Sequence, residues 1–175
     1  PAMIDGTIEE TEISREQASL LDAMGAIVEA RDSEQLAELF LDAVWRLLQP
    51  EVLALAVPDR DGGIRHALLR EGGRLQHVSA QGVIPEPLAR LASRLGAGGG
   101  EEHTRHRGLS WLATNSVSSE RRSEILLVAT RRPLPRGCPP LYGLVRVYRN
   151  LQLLLDECQR DKLTGLRNRR TLLGS

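Results

Sequence analysis

The sequence lacks the cysteine pattern and the long apolar segment that would point to several classes of protein. Its two cysteines, Cys138 and Cys158, lie about twenty residues apart without the paired spacing of a zinc site or a redox motif. We therefore expect two free thiols and no metal. No apolar run is long enough to cross a bilayer, and no charged-then-apolar leader opens the chain. These absences predict a cytoplasmic protein with no membrane partner.

Net charge is also absent, because 23 basic residues are balanced by 23 acidic ones. The arginines at 105–107 and 167–170 form short clusters and not a continuous basic face, so we expect no nucleic-acid partner. Lys162 is the only lysine, a bias that reflects genome composition more readily than function. With 175 residues and 41% hydrophobic content, the chain can bury one good core. Length thus favours one domain with a helical extension.

Two amphipathic helices open the fold. Apolar residues recur with helical period over 14–31, and residues 1–13 are expected to be a tail or a cloning remnant. Asp32 and Gln35 then form a capping pair for a second helix that ends before Pro50. Two helices therefore precede any strand.

A sheet should follow the second helix. The predicted strands are Val52–Val57, Ile64–Arg70, Leu75–Ala80, Leu109–Val117 and Glu124–Thr130, with turns at 59–63 and 71–73. A short helix is predicted over 85–95. The stretch 97–108 is the most polar and glycine-rich, shows no periodic face, and is expected to be a flexible loop. Glu124 and the other scattered carboxylates are expected on the solvated surface.

A long helix is predicted over 139–160, because the proline pair Pro139-Pro140 suits a helix start and no strong breaker follows. Apolar or near-apolar residues recur along it in steps of three and four, which is the spacing of a coiled-coil seam. The predicted dimerisation residues are Leu141, Leu144, Tyr148, Leu151, Leu155 and Cys158.

The most specific motif comes directly after this helix. It is Asp-x-Leu-Thr-Gly-Leu-x-Asn-Arg-Arg, formed by Asp161, Leu163, Thr164, Gly165, Leu166, Asn168, Arg169 and Arg170. In local terms, Asp161 can accept backbone hydrogen bonds where the helix ends, Thr164-Gly165 supply a turn, and Asn168 can cap a new helix. The motif resembles the segment that opens the GGDEF domains of bacterial diguanylate cyclases, which condense two GTP molecules into cyclic di-GMP.

The resemblance covers about a dozen residues and implies a division of the chain. In that family the metal-binding carboxylates, guanine-reading residues, signature loop and product-inhibition site all lie downstream of the opening segment. The expected units are a sensor domain over 14–138, a coiled-coil signalling helix over 139–160 and the start of a truncated GGDEF domain over 161–175. The chain itself is then not an enzyme, and no catalytic residue is predicted in it.

The predicted order of elements is helix, helix, hairpin, short strand, helix, loop, hairpin and long helix. Antiparallel strands with helices grouped at both ends of the chain indicate an α+β fold, with a central sheet of about five to six strands covered on one face by the terminal helices. This order resembles the GAF sensor domain. A PAS-like fold is the alternative, although PAS domains usually place their short helices between the second and third strands.

GAF domains bind small molecules between the sheet and the middle helix and loop, a region that corresponds here to about 76–111. On that resemblance, His77, His103, Arg107 and Trp111 are candidate ligand residues, since arginine offers a charged fork and tryptophan a stacking face. The competing interpretation makes the loop a solvated lid and Trp111 a core residue. No cofactor is predicted, although an unknown small-molecule ligand remains compatible with the pattern.

The sequence thus favours a regulatory sensor and homodimerisation domain that acts on a covalently linked diguanylate cyclase through its C-terminal helix. Each cyclase domain of that family holds one GTP, so activity depends on how two chains are juxtaposed. One rival is a ligand-free module that only holds two cyclase domains together. Another is a thiol-dependent enzyme that uses Cys138 and Cys158.

Overall fold

The computed structural model of the 175-residue chain describes residues 21–59, 63–79, 90–91, 94–95, 100–118 and 123–158. Residues 21–28 are helical and are called α1 below. The other elements are α2 (Ser33–Leu48), β1 (Val52–Pro58), β2 (Ile64–Glu71), β3 (Arg74–Ser79), β4 (Glu101–His106), β5 (Leu109–Ser118), β6 (Ser123–Thr130) and α3 (Pro139–Cys158). None of the helices in these ranges combines the length and hydrophobicity that a membrane span requires.

The start of α2 follows directly from its sequence. The side chain of Asp32 accepts a hydrogen bond of 2.8 Å from the amide of Gln35, and the Gln35 side chain accepts one from the amide of Arg31. The first contact satisfies an amide that the helix leaves without an intrahelical partner, and the second fixes the residue before the cap, so the predicted capping pair is confirmed. The helix ends at Gln49, whose left-handed backbone (φ 43°) turns the chain toward Pro50.

All strands lie in one antiparallel sheet in the order β3-β2-β1-β6-β5-β4. The first hairpin closes as predicted, because the carboxylate of Asp59 accepts a hydrogen bond of 2.6 Å from the amide of Gly63. Two-residue turns join β2 to β3 and β4 to β5. Arg107 and Gly108 both have positive φ angles in the second of these, which is the requirement of a type I′ turn.

Strand β4 is a correction to the sequence analysis, which predicted a flexible loop over 97–108. Glu101–His106 pairs along its full length with β5 and forms one edge of the sheet. Its side chains are polar and nearly all half-buried on both faces, so neither face carries the apolar alternation by which strands are recognised. A charged edge of this kind also discourages pairing with another chain.

The sheet separates two cores that share no residue. On one face, α1, α2 and α3 cover an aliphatic core whose centre is Phe40 of α2 stacked on Tyr148 of α3, with ring centroids 4.2 Å apart. On the other face, Leu91 and Leu95 pack over strand residues of which five are alanines. Residues of the four inner strands, β2, β1, β6 and β5, are divided between the two cores.

The environment of α3 corrects most of the predicted dimerisation seam. Leu141, Leu144 and Tyr148 are at most 1% exposed and belong to the helix-side core of their own chain. Leu151 and Leu155 are half-buried and pack against that core, whereas Cys158 is exposed. The spacing of three and four identified an apolar stripe correctly, but the stripe packs on the chain's own sheet and α2. The exposed leucines of α3 are Leu153 and Leu154.

Candidate functional site

The structure places the four candidate ligand residues in separate parts of the domain. His77 and His103 lie on β3 and β4, the two opposite edges of the sheet, and both face the helices because they pair with core residues of that face. His77 approaches Glu34 of α2 at 3.7 Å. Arg107 is exposed at the tip of the β4–β5 hairpin. These three side chains therefore do not line a common pocket with Trp111.

Trp111 points to the other face of the sheet, where it is 5% exposed. Its indole Nε1 is buried and has no hydrogen-bond acceptor among the residues that the structure describes. A buried N–H group without an acceptor destabilises the folded state, because it has lost its hydrogen bond to water and gained none in return. Trp111 is therefore a core residue, as the competing interpretation expected, and its ligand role stays a prediction.

The surface around Trp111 is formed by small side chains. Within the described ranges this face carries five buried alanines, which are Ala54, Ala56, Ala67, Ala113 and Ala129. Leu91 and Leu95 pack against them from above. Small side chains of this kind let a covering group lie close to the sheet backbone.

A second cluster of polar side chains connects β4 to α3. The carboxylate of Glu101 accepts hydrogen bonds from the hydroxyl of Tyr142 and from the amide of Gly137, the latter at 3.2 Å. Its other oxygen contacts Nε2 of His103. This cluster fixes the first turn of α3 to the edge of the sheet.

The cluster shifts the pKa values of its two main members in opposite directions. Burial raises the pKa of Glu101, but hydrogen bonds from Tyr142, His103 and Gly137 outweigh it and hold that pKa below its ordinary value. Burial, with the hydrogen bond to Glu101 second, raises the pKa of Tyr142 to about 12. At neutral pH the pair is therefore an ionised carboxylate facing a neutral phenol.

These shifts predict a stability that depends on pH at both extremes. Because the folded-state pKa of Glu101 is lowered, its contribution is present at neutral pH and is lost as pH falls through that pKa. Because the pKa of Tyr142 is raised, its contribution is present below pH 10 and is lost between pH 10 and about 12. We expect the stability difference between wild type and Tyr142→Phe to shrink across that alkaline window.

Urea unfolding at a series of pH values measures this difference. The same measurement on Glu101→Gln should show that the loss of stability at low pH attributed to Glu101 is absent. The difference between wild type and Tyr142→Phe cancels the contributions that the two proteins share. Identical alkaline slopes for these two proteins would contradict the assignment.

Arg149 attaches the middle of α3 to an irregular part of β5. Its Nε and Nη2 donate to the carbonyl oxygens of Ser116 and Asn115 at 3.0 and 2.9 Å. These carbonyls are available because the register of β5 with β6 shifts between Asn115 and Val117. The guanidinium has no carboxylate partner among the described residues, although it is half-buried.

A buried hydrogen-bond chain runs from the sheet through α3 to α2. The hydroxyl of Tyr148 donates to the carboxylate of Glu124 at 2.6 Å and accepts a bond from Gln152 Nε2. That amide also donates to the carbonyl of Ser33 at 3.2 Å. Glu124 is 2% exposed, so its predicted surface position is corrected: it follows β6 into the helix-side core, where the phenol bonds it.

Sequence reasoning missed Glu101, Tyr142, Arg149, Glu124 and Gln152. Only Gln152 carried a usable signal, because it continues the inward stripe of α3 four residues after Tyr148, where a polar residue stands out. The coupling motif at 161–170 lies outside the described residues. Within the described ranges, no three His, Cys, Asp or Glu side chains converge in a way that could hold a metal ion.

A six-stranded antiparallel sheet with the terminal helices on one face is the architecture of GAF domains. The chain is similar to the GAF domain of a phosphoenolpyruvate-protein phosphotransferase from Acinetobacter, at 13% identity and a TM-score of 0.51, over 82% of this chain and 94% of that one. It is likewise similar to the GAF domain of the corresponding protein from Coxiella burnetii, at 10% identity and a TM-score of 0.51, over 82% and 95% of the two chains.

At these identities the likeness establishes the fold: the protein has a GAF-like α+β fold, as predicted, and the PAS-like alternative is set aside. No protein-family model matches the sequence, and no curated protein matches it either.

Proposed function

We propose that the chain is the regulatory sensor and dimerisation domain of a cytoplasmic diguanylate cyclase. In this proposal a ligand binds on the face of the sheet that carries the five buried alanines, which we call the alanine face. Helix α3 then passes the conformational state of the domain to a linked cyclase domain that begins at 161. The cyclase assignment is supported by the resemblance of residues 161–170 to the opening of GGDEF domains. The sensor assignment is supported by the GAF-like fold.

The observation that carries the proposal is the way α3 is attached. Tyr142 bonds to β4, Arg149 to the irregular part of β5, and Tyr148 to β6. Gln152 in turn bonds to the backbone at Ser33, the first residue of α2. A helix held to three strands by directional bonds moves when those strands move. It can therefore report a change in the sheet, provided that the ligand binds one arrangement better than another.

The ligand chemistry follows from the alanine face. Five alanines give an apolar floor, and the indole N–H of Trp111 requires an acceptor. A flat, mostly apolar molecule with one carbonyl, carboxylate or ring-nitrogen acceptor would satisfy both conditions. Such a ligand would gain the hydrogen bond that Trp111 lacks in this structure.

Tryptophan fluorescence tests the ligand proposal, because the chain has only two tryptophans. Trp45 lies on α2, where Arg70 stacks over its ring at 4.9 Å, and Trp45→Phe leaves Trp111 as the single reporter. Haem, nucleotides and aromatic carboxylates are the probes. We expect at least one to give a saturable change. Trp111→Phe removes the reporter, so its binding is measured by calorimetry, and we expect it to be weaker by about tenfold through loss of one hydrogen bond.

A Trp45→Phe protein that responds to none of these probes would favour the rival ligand-free assembly module. The cyclase part is tested separately, by assaying cyclic di-GMP formation from GTP with the protein expressed from its full reading frame. Absence of turnover there, with ligand binding intact, would remove the cyclase assignment and leave the sensor.

The thiol-enzyme alternative has no geometric support. Cys138 is buried and precedes the first turn of α3, whereas Cys158 is exposed and ends that helix. A straight helix of this length separates its ends by about 30 Å, so the two thiols cannot act as a pair.

A further inference from the structure

A cleft that contains one acidic and one basic side chain lies beside α3, on the opposite face of the sheet from Trp111. It has a volume of about 630 Å³ and is lined by Glu101, Thr114, Asn115, Tyr142 and Arg149, with two glycines at its rim. A second cleft of about 450 Å³ continues from Tyr142 and Arg149 along α3 past Arg146. The first volume lies within the range of small-molecule sites.

The lining of the first cleft carries one charge of each sign. The ionised carboxylate of Glu101 is 18% exposed and accepts three bonds, from His103, Gly137 and Tyr142. A carboxylate has about four lone-pair sites, so capacity for one further donor remains. Arg149 uses two of its five N–H donors in hydrogen bonds to neutral backbone carbonyls. Half-buried and without a described carboxylate partner, this cation lacks the compensating charge that buried ions normally have.

We propose that this cleft binds a small zwitterion, with its ammonium group on Glu101 and its anionic group on Arg149. The anion would accept from the guanidinium donors that the carbonyls leave unused, a charge-assisted contact stronger than a neutral one. The hydroxyl groups of Thr114 and Tyr142 donate their protons to Gly100 and Glu101, and their oxygens can still accept hydrogen bonds from the ammonium group. A molecule with only one of the two charged groups could not make both contacts.

Because the cleft is bounded by β4, β5 and α3, its occupant would connect the sheet edge to the helix. This site is distinct from the one proposed on the alanine face, from which the sheet separates it. Trp111 is not among the residues that line the cleft, so with no alanine-face ligand present Trp111→Phe should leave zwitterion binding unchanged.

Calorimetric titration and thermal shift of the 175-residue protein test the proposal. The probes are each standard L-amino acid and phosphoethanolamine, which share an ammonium group but differ in the anion, and the half-molecules propionate and ethylamine. We expect at least one zwitterion to bind saturably and both half-molecules to bind at least about tenfold more weakly. A carboxylate or a phosphate preference then identifies the class of zwitterion.

Arg149→Met and Glu101→Gln should each weaken that zwitterion by about tenfold or more, because each removes one charged contact. The matched control is Arg146→Met, since Arg146 is exposed and lines only the second cleft. The Arg146→Met protein should bind the zwitterion with the same affinity as wild type.

Circular dichroism checks that each variant is folded, and the backbone amide resonances of Gly100 and Gly137, at the rim, localise binding by NMR. The proposal is overturned if no zwitterion binds wild type, if the half-molecules bind equally well, or if binding survives in both charge variants.

Discussion

Tyr148→Ala should lower the free energy of unfolding by about 4 kcal/mol, the usual cost of deleting a buried aromatic ring. The ring is fully buried, stacks on Phe40, and carries the hydroxyl that bonds to Glu124. Its removal leaves a cavity between α2 and α3 and takes one donor from a buried carboxylate. Urea unfolding followed by circular dichroism measures the change.

Tyr148→Phe separates the two contributions. It keeps the stacked ring and removes only the hydroxyl, so we expect a loss of about 1 to 3 kcal/mol, typical of a broken buried hydrogen bond. Asn150→Ala is the control on the exposed side of α3 and should change stability by less than about 0.5 kcal/mol. If Tyr148→Ala and Asn150→Ala cost the same, α3 does not pack on the sheet as described.

Replacing Leu153 and Leu154 together by aspartate should convert a dimer into monomers. These leucines are 38% and 54% exposed on the outward side of α3, where apolar side chains face water unless a second copy covers them. Burying four leucines across a symmetric interface stabilises it by several kcal/mol, so the dissociation constant should rise by at least about 100-fold. Light scattering at several concentrations measures the mass.

The matched control is Leu75→Asp on β3, because Leu75 is 39% exposed but lies at the far edge of the sheet. It should leave the mass unchanged. The pair Leu151 and Leu155, which the sequence suggested for this test, is less suitable because both side chains pack against the core and their loss would also destabilise the fold. Wild-type protein that is monomeric at every concentration rules out the dimer through α3.

Local sequence signals predicted most of the elements because those signals are short-range. The Asp32 and Gln35 cap, the turn closed by Asp59 and Gly63, and the apolar strand β1 each depend on residues within a few positions of one another. Strand β4 was missed because its pairing partner β5, and not its own polar sequence, makes it a strand. In α3 the period revealed an apolar stripe but not the surface on which it packs.

The candidate site was harder to predict because its contacts are long-range. Glu101 and Tyr142 are 41 residues apart, and Arg149 meets carbonyls 33 and 34 residues earlier. Those carbonyls are accessible because β5 is irregular, which no residue type in that segment signals. Trp111 was identified because it lies in the stretch 76–111 that the GAF resemblance assigns to ligand binding, yet which face it occupies depends on the register of β5.

Because the sheet separates the two cores, residues of one core can be changed without changing residues of the other. Along β1, Ala54 and Ala56 belong to one core and Leu53 and Leu55 to the other, so adjacent residues face different cores. Libraries restricted to the alanine positions would vary recognition while leaving every contact of α3 intact. The same scaffold could thus be retargeted to new small molecules as a biosensor, with its output helix kept unchanged.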